Sequence, residues 1–365
     1  MAATVEHYCD LCGKRAAVPV VQKDDFTIEG VYFTRSPEGT ITHCGDCMRA
    51  AVDQIQKQRA LLELANGEEP TMSEVQKTAI QWADYTWNPW QGCTHVSPGC
   101  ENCYMFEEKK RYGQKPEIVV RSKDNTFQKP LKRNRQKEYK IESGARVFTC
   151  SWSDWFHPLA DKWRQEAWEI IKQRPDVLFI ILTKRTHRMA DCLPGDWGDG
   201  YPNVVLGVSV ENQAMLPRVE KLLRTPAAIR AVSYEPALEM VDFSGHMPGQ
   251  RIDHAQSEID ARRGIKRIAA PTYWEHHGID WLIIGGESGN GARAFDIEWA
   301  RKNVIQCREA GVACFVKQLG AVPMDGHTYL KLESEKGGDW NEWPDDLKVR
   351  EFPAWTPGEL PQEEK

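Results

Sequence analysis

From about residue 80 onward, short, near-continuous apolar runs recur along the chain, each ending in polar residues. The runs cover 146–150, 177–182, 204–208, 229–232, 281–284 and 313–316. Near-continuous apolar runs of this length fit parallel strands buried on both faces. Stretches with helical periodicity lie between several of them, at 163–173, 214–223 and 297–310. The alternation predicts an α/β fold: a doubly wound sheet, or a full or partial barrel. Residues 242–278 are polar, with Gly, Pro and His, and read as an insertion before the strand at 281–284.

The first 70 residues carry a different pattern and predict a separate module. Cys9-Asp-Leu-Cys12 opens it, β-rich runs come next at 16–21 and 26–34, and Cys44-Gly-Asp-Cys47 leads into an amphipathic stretch at 48–64. Two CxxC pairs across a gap of 31 residues match the spacing of a tetrahedral zinc site. Cys9, Cys12, Cys44 and Cys47 are therefore expected to hold Zn²⁺ in a zinc-ribbon or treble-clef module, with His7 and His43 as adjacent alternatives. Four thiolates close such a site to substrate, so its role is structural. Asn66-Gly-Glu-Glu-Pro70 ends the helix and reads as a linker. The expected organisation is a zinc module at 1–70, a β/α domain at 71–330 and an acidic C-terminal tail at 331–365.

The polar residues at the end of each predicted strand carry the chemistry. The run at 146–150 leads into Ser151-Trp-Ser-Asp154 and His157, and the next into Thr183-Lys-Arg185. The others lead into Ser209-Val-Glu-Asn212, Ser233-Tyr-Glu-Pro236, Gly285-Gly-Glu-Ser-Gly289 and Lys317-Gln318. Parallel β/α folds place their sites at the C-terminal edge of the sheet, so these distant segments should share one polar mouth.

A second cysteine group lies ahead of these strands. Cys93, Cys100 and Cys103 occupy one short loop in a Cys-x6-Cys-x2-Cys spacing, with Gly92, Pro98 and Gly99 among them. Glycine tolerates strained dihedrals and proline fixes them, so the loop can wrap tightly around a ligand. Three thiols leave one coordination position open, which suits a [4Fe–4S] cluster with one iron free. A zinc site completed by His95, or buried thiols without metal, are the other readings. Of the remaining cysteines, Cys314 fits a small core residue, while Cys150 ends a strand near the polar mouth.

Composition narrows the setting. Hydrophobic residues at 41% and charged residues at 27% match a globular protein, and no apolar run is long enough to cross a bilayer. No basic region followed by an apolar run opens the chain, and eleven cysteines read as metal ligands or buried thiols, so a cytoplasmic location is expected. A net charge of −6 argues against non-specific coating of nucleic acid. Between Lys109 and Lys140, however, 12 Lys or Arg face three acids, a local excess that could hold phosphates beside the thiol loop.

The segments Thr86-Trp-Asn-Pro, Gly92-Cys-Thr-His-Val-Ser-Pro-Gly-Cys-Glu-Asn-Cys-Tyr104, Ser153-Asp-Trp-Phe-His157, Leu182-Thr-Lys-Arg185, Gly207-Val-Ser-Val-Glu-Asn212, Gly285-Gly-Glu-Ser-Gly289 and Phe315-Val-Lys-Gln318 resemble the phage-associated three-cysteine-motif family. That family is similar to radical S-adenosylmethionine enzymes. The resemblance runs from about residue 80 to 320 and implies a partial, TIM-like (β/α) barrel of six to seven parallel strands whose first loop carries the cluster. If the chain is phage-encoded, its setting is the cytoplasm of a bacterial host. The superfamily's usual spacing is Cys-x3-Cys-x2-Cys, so the first gap here is longer. Its Gly-Gly-Glu comes after an early strand, whereas Gly285-Gly286-Glu287 comes after a late one and remains a binding candidate on its chemistry alone.

The resemblance implies a radical S-adenosylmethionine-type enzyme in which Cys93, Cys100 and Cys103 hold the iron–sulfur cluster and generate a 5′-deoxyadenosyl radical. Ser151, Ser153, Asp154, Glu211, Asn212, Gly285, Gly286 and Glu287 are candidates for holding S-adenosylmethionine. Lys184, Arg185, Glu235 and Lys317 are candidates for the substrate, the cations suiting phosphate or carboxylate. Phage association, the basic stretch and the zinc module point to a nucleic acid base or nucleotide, as in DNA modification or repair, with a reducing electron donor as a further partner. The rival class is a non-catalytic zinc protein whose two cysteine clusters are both structural and which binds nucleic acid or protein.

Overall fold

The computed structural model describes residues 77–248 and 278–360, and the backbone of four short strands nearer the N-terminus. The chain divides into two units, Met1–Glu74 and Val75–Lys365. In the first, β1 (Thr4–Tyr8) pairs antiparallel with β2 (Arg15–Pro19), and β3 (Phe26–Ile28) with β4 (Val31–Phe33). Strands β2, β3 and β4 fall on the predicted β-rich runs, while β1 lies ahead of both, where no strand was expected. They give no support to a zinc ribbon, because Cys9, Cys12, Cys44, Cys47 and the helix expected at 48–64 lie outside the described residues.

The second unit is built on a seven-stranded parallel sheet. Its strands are β5 (Tyr85–Trp87), β8 (Arg146–Thr149), β9 (Leu178–Thr183), β10 (Val204–Ser209), β11 (Ile229–Tyr234), β12 (Trp281–Gly285) and β14 (Ala313–Gln318). They lie side by side in chain order, β5-β8-β9-β10-β11-β12-β14. With right-handed crossovers, unreversed order keeps every connection on one face and curls the sheet. The result is a half-barrel, not a doubly wound sheet.

Alternate residues of each strand serve two cores. Phe179, Ile181, Leu206, Val208, Val232, Leu282 and Val316 join the larger cluster with helical residues Trp168, Leu222 and Val304. Leu178, Ile180, Val205, Ala231, Trp281, Ile283 and Phe315 join a smaller cluster with Trp82. Both faces of the strands are therefore buried, which is why the runs are mainly apolar, with Arg230 near the start of β11 an exception. On the smaller cluster, Trp281 meets Trp82 edge-on at 6.1 Å and Phe352 at 5.7 Å, so segments from either end of the unit cover that face.

The helices start and stop for local reasons. Helix α1 (Tyr104–Arg111) comes directly after the thiol loop, and a short α2 (Asp124–Phe127) lies before β8. Helix α3 (Asp161–Lys172) buries Ala167, Trp168, Ile170 and Ile171, and α4 (Pro217–Leu223) starts at a proline. Helix α5 (Ile297–Ala310) has Asp296 as its N-cap, accepting from the Glu298 amide at 3.0 Å. It stops at Gly311, whose φ of 68° a side chain would resist.

The sheet's two rims are not joined to each other among the described residues, and each is covered separately. Val349–Glu351 run beside β14, with Val316 N donating to Val349 O at 2.8 Å and Glu351 N to Cys314 O at 2.8 Å. The acidic C-terminal segment thus packs on the unit, burying Trp343 and Leu347. At the other rim, Lys129 Nζ donates to Thr86 O at 2.8 Å. Covered rims remove unpaired strand edges that would otherwise template association.

A chain of rings ties the first strand to the helix layer. Trp155 lies 6.0 Å from Trp87, 5.0 Å from Trp90 and 4.9 Å from Trp168, ring to ring, and is fully buried. Replacing Trp155 with Ala should cost about 3–5 kcal/mol of unfolding free energy, read from denaturant midpoints.

Candidate active site

The thiol loop is stitched to the strand ends residue by residue. Two-residue strands β6 (Trp90–Gln91) and β7 (Val120–Arg121) pair antiparallel and set its entry. Gly92 is next, with φ of 102°, and a Cβ there would stand 2.3 Å from Ile118 O, so only glycine fits. Ser153 Oγ donates to Gly92 O at 2.6 Å, and Cys93 N donates to Pro116 O at 3.0 Å. Cys100 ends a 3₁₀ turn, Pro98–Cys100, and Cys103 occupies the N-cap position of α1.

Beneath the turn sits Glu211, a carboxylate with no solvent exposure. Ser97 Oγ donates to its Oε1 at 2.6 Å and Arg218 Nη1 to its Oε2 at 2.8 Å, while Lys184 Nζ stands 3.6 Å away. Gly99 rests on this group: a Cβ there would lie 2.3 Å from Glu211 Cγ. The buried charge is thus balanced by two cations and hydrogen-bonded on both oxygens, as burial demands.

Arg185 reaches the loop from β9. Its Nη2 donates to Thr94 O at 2.8 Å and Thr94 Oγ1 at 2.7 Å, and stands 3.8 Å from Cys93 Sγ. Asp154 accepts from Thr183 Oγ1 at 2.7 Å, Phe156 N at 2.9 Å and Lys184 N at 3.0 Å. Ser151 Oγ is bonded to Asn88 Nδ2 at 3.0 Å. Ser153, Asp154 and Glu211, expected to hold a ligand, are therefore engaged in holding the loop and its neighbours. Glu287 is engaged as well, with Arg293 Nη2 at 2.6 Å from its Oε1.

The glycines after β12 serve the protein's own packing. A Cβ on Gly285 would stand 2.5 Å from Glu235 Oε1, and one on Gly286 would stand 2.5 Å from Leu319 O. Glu235 in turn pairs with Lys317 Nζ at 2.9 Å, across β11 and β14. Asn212 differs from the others: its Oδ1 is buried and has no hydrogen-bond partner among the described residues. Such a group costs free energy until something donates to it.

Electrostatics tie the thiols together. Burial pushes the Cys93 thiol up to about 11, with Asp154 adding and Arg185 opposing, and the neighbouring Cys100 raises it further. Burial raises Cys103 too, with helix amides and Lys184 opposing and Cys100 adding. Tyr104, half exposed, donates its hydroxyl to Ser151 O at 2.5 Å. A metal centre binds thiolates, whereas burial here favours the protonated form of Cys93 and Cys103. His95 stacks edge-on against Phe106 at 4.1 Å. Among the described residues, no three His, Cys, Asp or Glu side chains group as a single metal ion requires.

The mouth thus gathers the tails of β8, β9, β10 and β12 onto the loop after β5, with Glu235 and Lys317 beyond it. Reading the sequence missed Asn88, Thr94, Ser97, Asn102, Arg218 and Arg293. Two of them carried a faint signal: Arg218 and Arg293 stand seven and six residues after the strand-end acids Glu211 and Glu287.

Fold and site together define an α/β half-barrel protein with a three-thiol loop over its C-terminal mouth. Residues 77–344 match the family described as "Protein of unknown function (DUF5131)", and the chain belongs to that family. No curated protein and no solved structure matches the chain. No helix among the described residues is long and apolar enough to cross a membrane.

The local geometry predicts two outcomes. Gly99→Ala should destabilise the unit by about 1–3 kcal/mol in denaturant titrations, since the methyl must displace buried Glu211. His157 is held neutral: burial and then Arg185 lower its pKa from 6.5 to about 4. Its Nδ1 accepts from Leu159 N at 3.2 Å, so Nε2 carries the proton facing Thr94 Oγ1 at 3.3 Å. A depressed pKa gives stability that is full above 6.5 and is lost as pH falls toward 4. His157→Gln should remove on the order of 2 kcal/mol of that acid loss, read as a flatter dependence of denaturant midpoint on pH.

Proposed function

We propose that the protein is a radical S-adenosylmethionine-type iron–sulfur enzyme acting on a nucleic acid base or nucleotide. The observation that supports this reading is the three-thiol loop, pinned over the C-terminal mouth of a parallel half-barrel. In this reading Cys93, Cys100 and Cys103 hold a [4Fe–4S] cluster. The chemistry such a cluster supplies when bound, once reduced by an external electron donor, is transfer of one electron to the S-adenosylmethionine sulfonium, breaking a C–S bond to give methionine and a 5′-deoxyadenosyl radical.

The chain's own residues then divide the remaining work. Arg185 and Lys184 place two cations beside the thiols and offset their negative charge. The wall of Trp90 and Trp155 beneath the loop entry is fully buried and keeps water from that side. Asn212 Oδ1, unpartnered among the described residues, is positioned to accept from a ribose hydroxyl or an adenine amine. Glu235 and Lys317 present an acceptor beside a donor, the complement of a base edge. Outside the mouth, Arg133, Arg135 and Lys137 lie on the basic stretch, where they suit phosphates.

Protein purified without oxygen should be brown and bleached by dithionite, and with S-adenosylmethionine it should release 5′-deoxyadenosine. Cys93→Ala should abolish both. A colourless protein holding only zinc would overturn the assignment and favour a structural role for both cysteine groups. Binding to DNA should weaken steeply with salt, and neutralising Lys132, Arg133 and Arg135 should lower the log–log slope by roughly one per cation removed. Salt-independent binding would remove nucleic acid as the substrate class.

A further inference from the structure

The segment after β12 reaches across the mouth and grips the thiol loop on either side of Cys100. Glu287 Oε2 accepts from Asn102 Nδ2 at 3.0 Å and from Arg293 N and Nε at 2.9 Å each. Glu287 Oε1 accepts from Arg293 Nη2 at 2.6 Å, so both carboxylate oxygens are committed. Arg293 directs its remaining donors to the loop itself: Nη2 to Pro98 O at 3.0 Å and Nη1 to Glu101 Oε2 at 2.9 Å. Asn102 Nδ2 returns the contact to Gly291 O at 2.9 Å.

The base of this grip is rigid. Gly286 N donates to Gln318 O at 3.0 Å, Gln318 Nε2 donates back to Gly286 O at 2.9 Å, and Ala321 N donates to Glu287 O at 2.8 Å. Two residues beyond Arg293 the chain enters β13 (Phe295–Asp296), which pairs with β15 (Pro323–Asp325). The loop itself departs from β5, at one rim of the sheet, and β12 lies next to the other rim. A side chain anchored on the far side therefore sets where Cys100 and Cys103 stand above the mouth.

We infer that Glu287 and Arg293 are positioning residues for the three-thiol loop, joined as one ion-paired clasp, and that Glu287 binds no ligand directly. The inference rests on the proposed function only in taking the loop as the working site. Arg293 suits the task because its planar fork serves a carboxylate and two loop acceptors at once, which a lysine ammonium cannot do. The carboxylate is correspondingly held in its charged form, since Arg293 and Asn102 outweigh the cost of its burial.

The test is alkylation of the full-length, metal-free protein by iodoacetamide, with each cysteine followed by peptide mass spectrometry. Arg293→Met and Glu287→Gln should each speed labelling of Cys100 and Cys103 by about ten-fold or more through local opening, leaving buried Cys150, Cys307 and Cys314 unlabelled. Arg293→Lys should fall between wild type and Arg293→Met. Arg301→Ala, which removes a comparable arginine paired with Glu298, Asp325 and Asp346, should change neither loop cysteine. After iron and sulfide loading, the clasp variants should lose iron to a chelator about ten-fold faster or more than wild type. Loop-cysteine rates within about two-fold of wild type would overturn the clasp. So would a rise shared by all the buried cysteines, which marks general unfolding. If wild type takes up no iron, the cluster assignment fails while the alkylation comparison still decides the clasp.

Discussion

Both faces of every central strand are buried, and that constraint governs where this protein can put chemistry. A strand whose alternate residues feed two apolar cores leaves little room for a charged group away from its ends. Polar side chains are thereby pushed to the strand ends, and parallel pairing in chain order sends all the C-terminal ends to one edge. The polar mouth is a consequence of the packing. The thiol loop is then held by groups that had nowhere else to go.

That arrangement explains why so many of the mouth's polar residues are spoken for. A carboxylate as buried as Glu211 persists only when its charge is matched, and Arg218, Lys184 and Ser97 match it. Asp154 accepts three hydrogen bonds before any ligand arrives. The residues left with spare capacity are few: Asn212, and the Glu235–Lys317 pair, which a ligand could divide. Holding the loop thus occupies most of the polar residues that the strand tails supply.

Much of the architecture was legible from patterning. Six of the seven strands and three of the helices announce themselves through apolar runs and helical periodicity, because burial on both faces leaves few polar interruptions. Strand β5 does not, since Tyr85–Trp87 is too short to form a run and is placed by Asp84, whose carboxylate takes Arg146 N at 2.9 Å and Nε at 3.1 Å. Apolar patterning alone did not choose between a doubly wound sheet and a barrel, because strand order is a matter of pairing; the partial barrel came from the resemblance, and the seven parallel strands agree with it. At the site, convergence of the strand tails was readable but the division of labour was not. Asn102 and Glu287 are 185 residues apart, and nothing in either neighbourhood reports the other.

The rims of the half-barrel limit what it can accommodate. They carry separate covers, Lys129 on one side and Val349–Glu351 on the other, so among the described residues the seven strands make a trough with no hoop around it. A hooped vessel must be threaded from its end and limits its guest to its own bore. The smaller core around Trp82, Trp281 and Phe315 fills this trough, so the open side is closed by the chain's own side chains and the space left uncovered is at the strand ends.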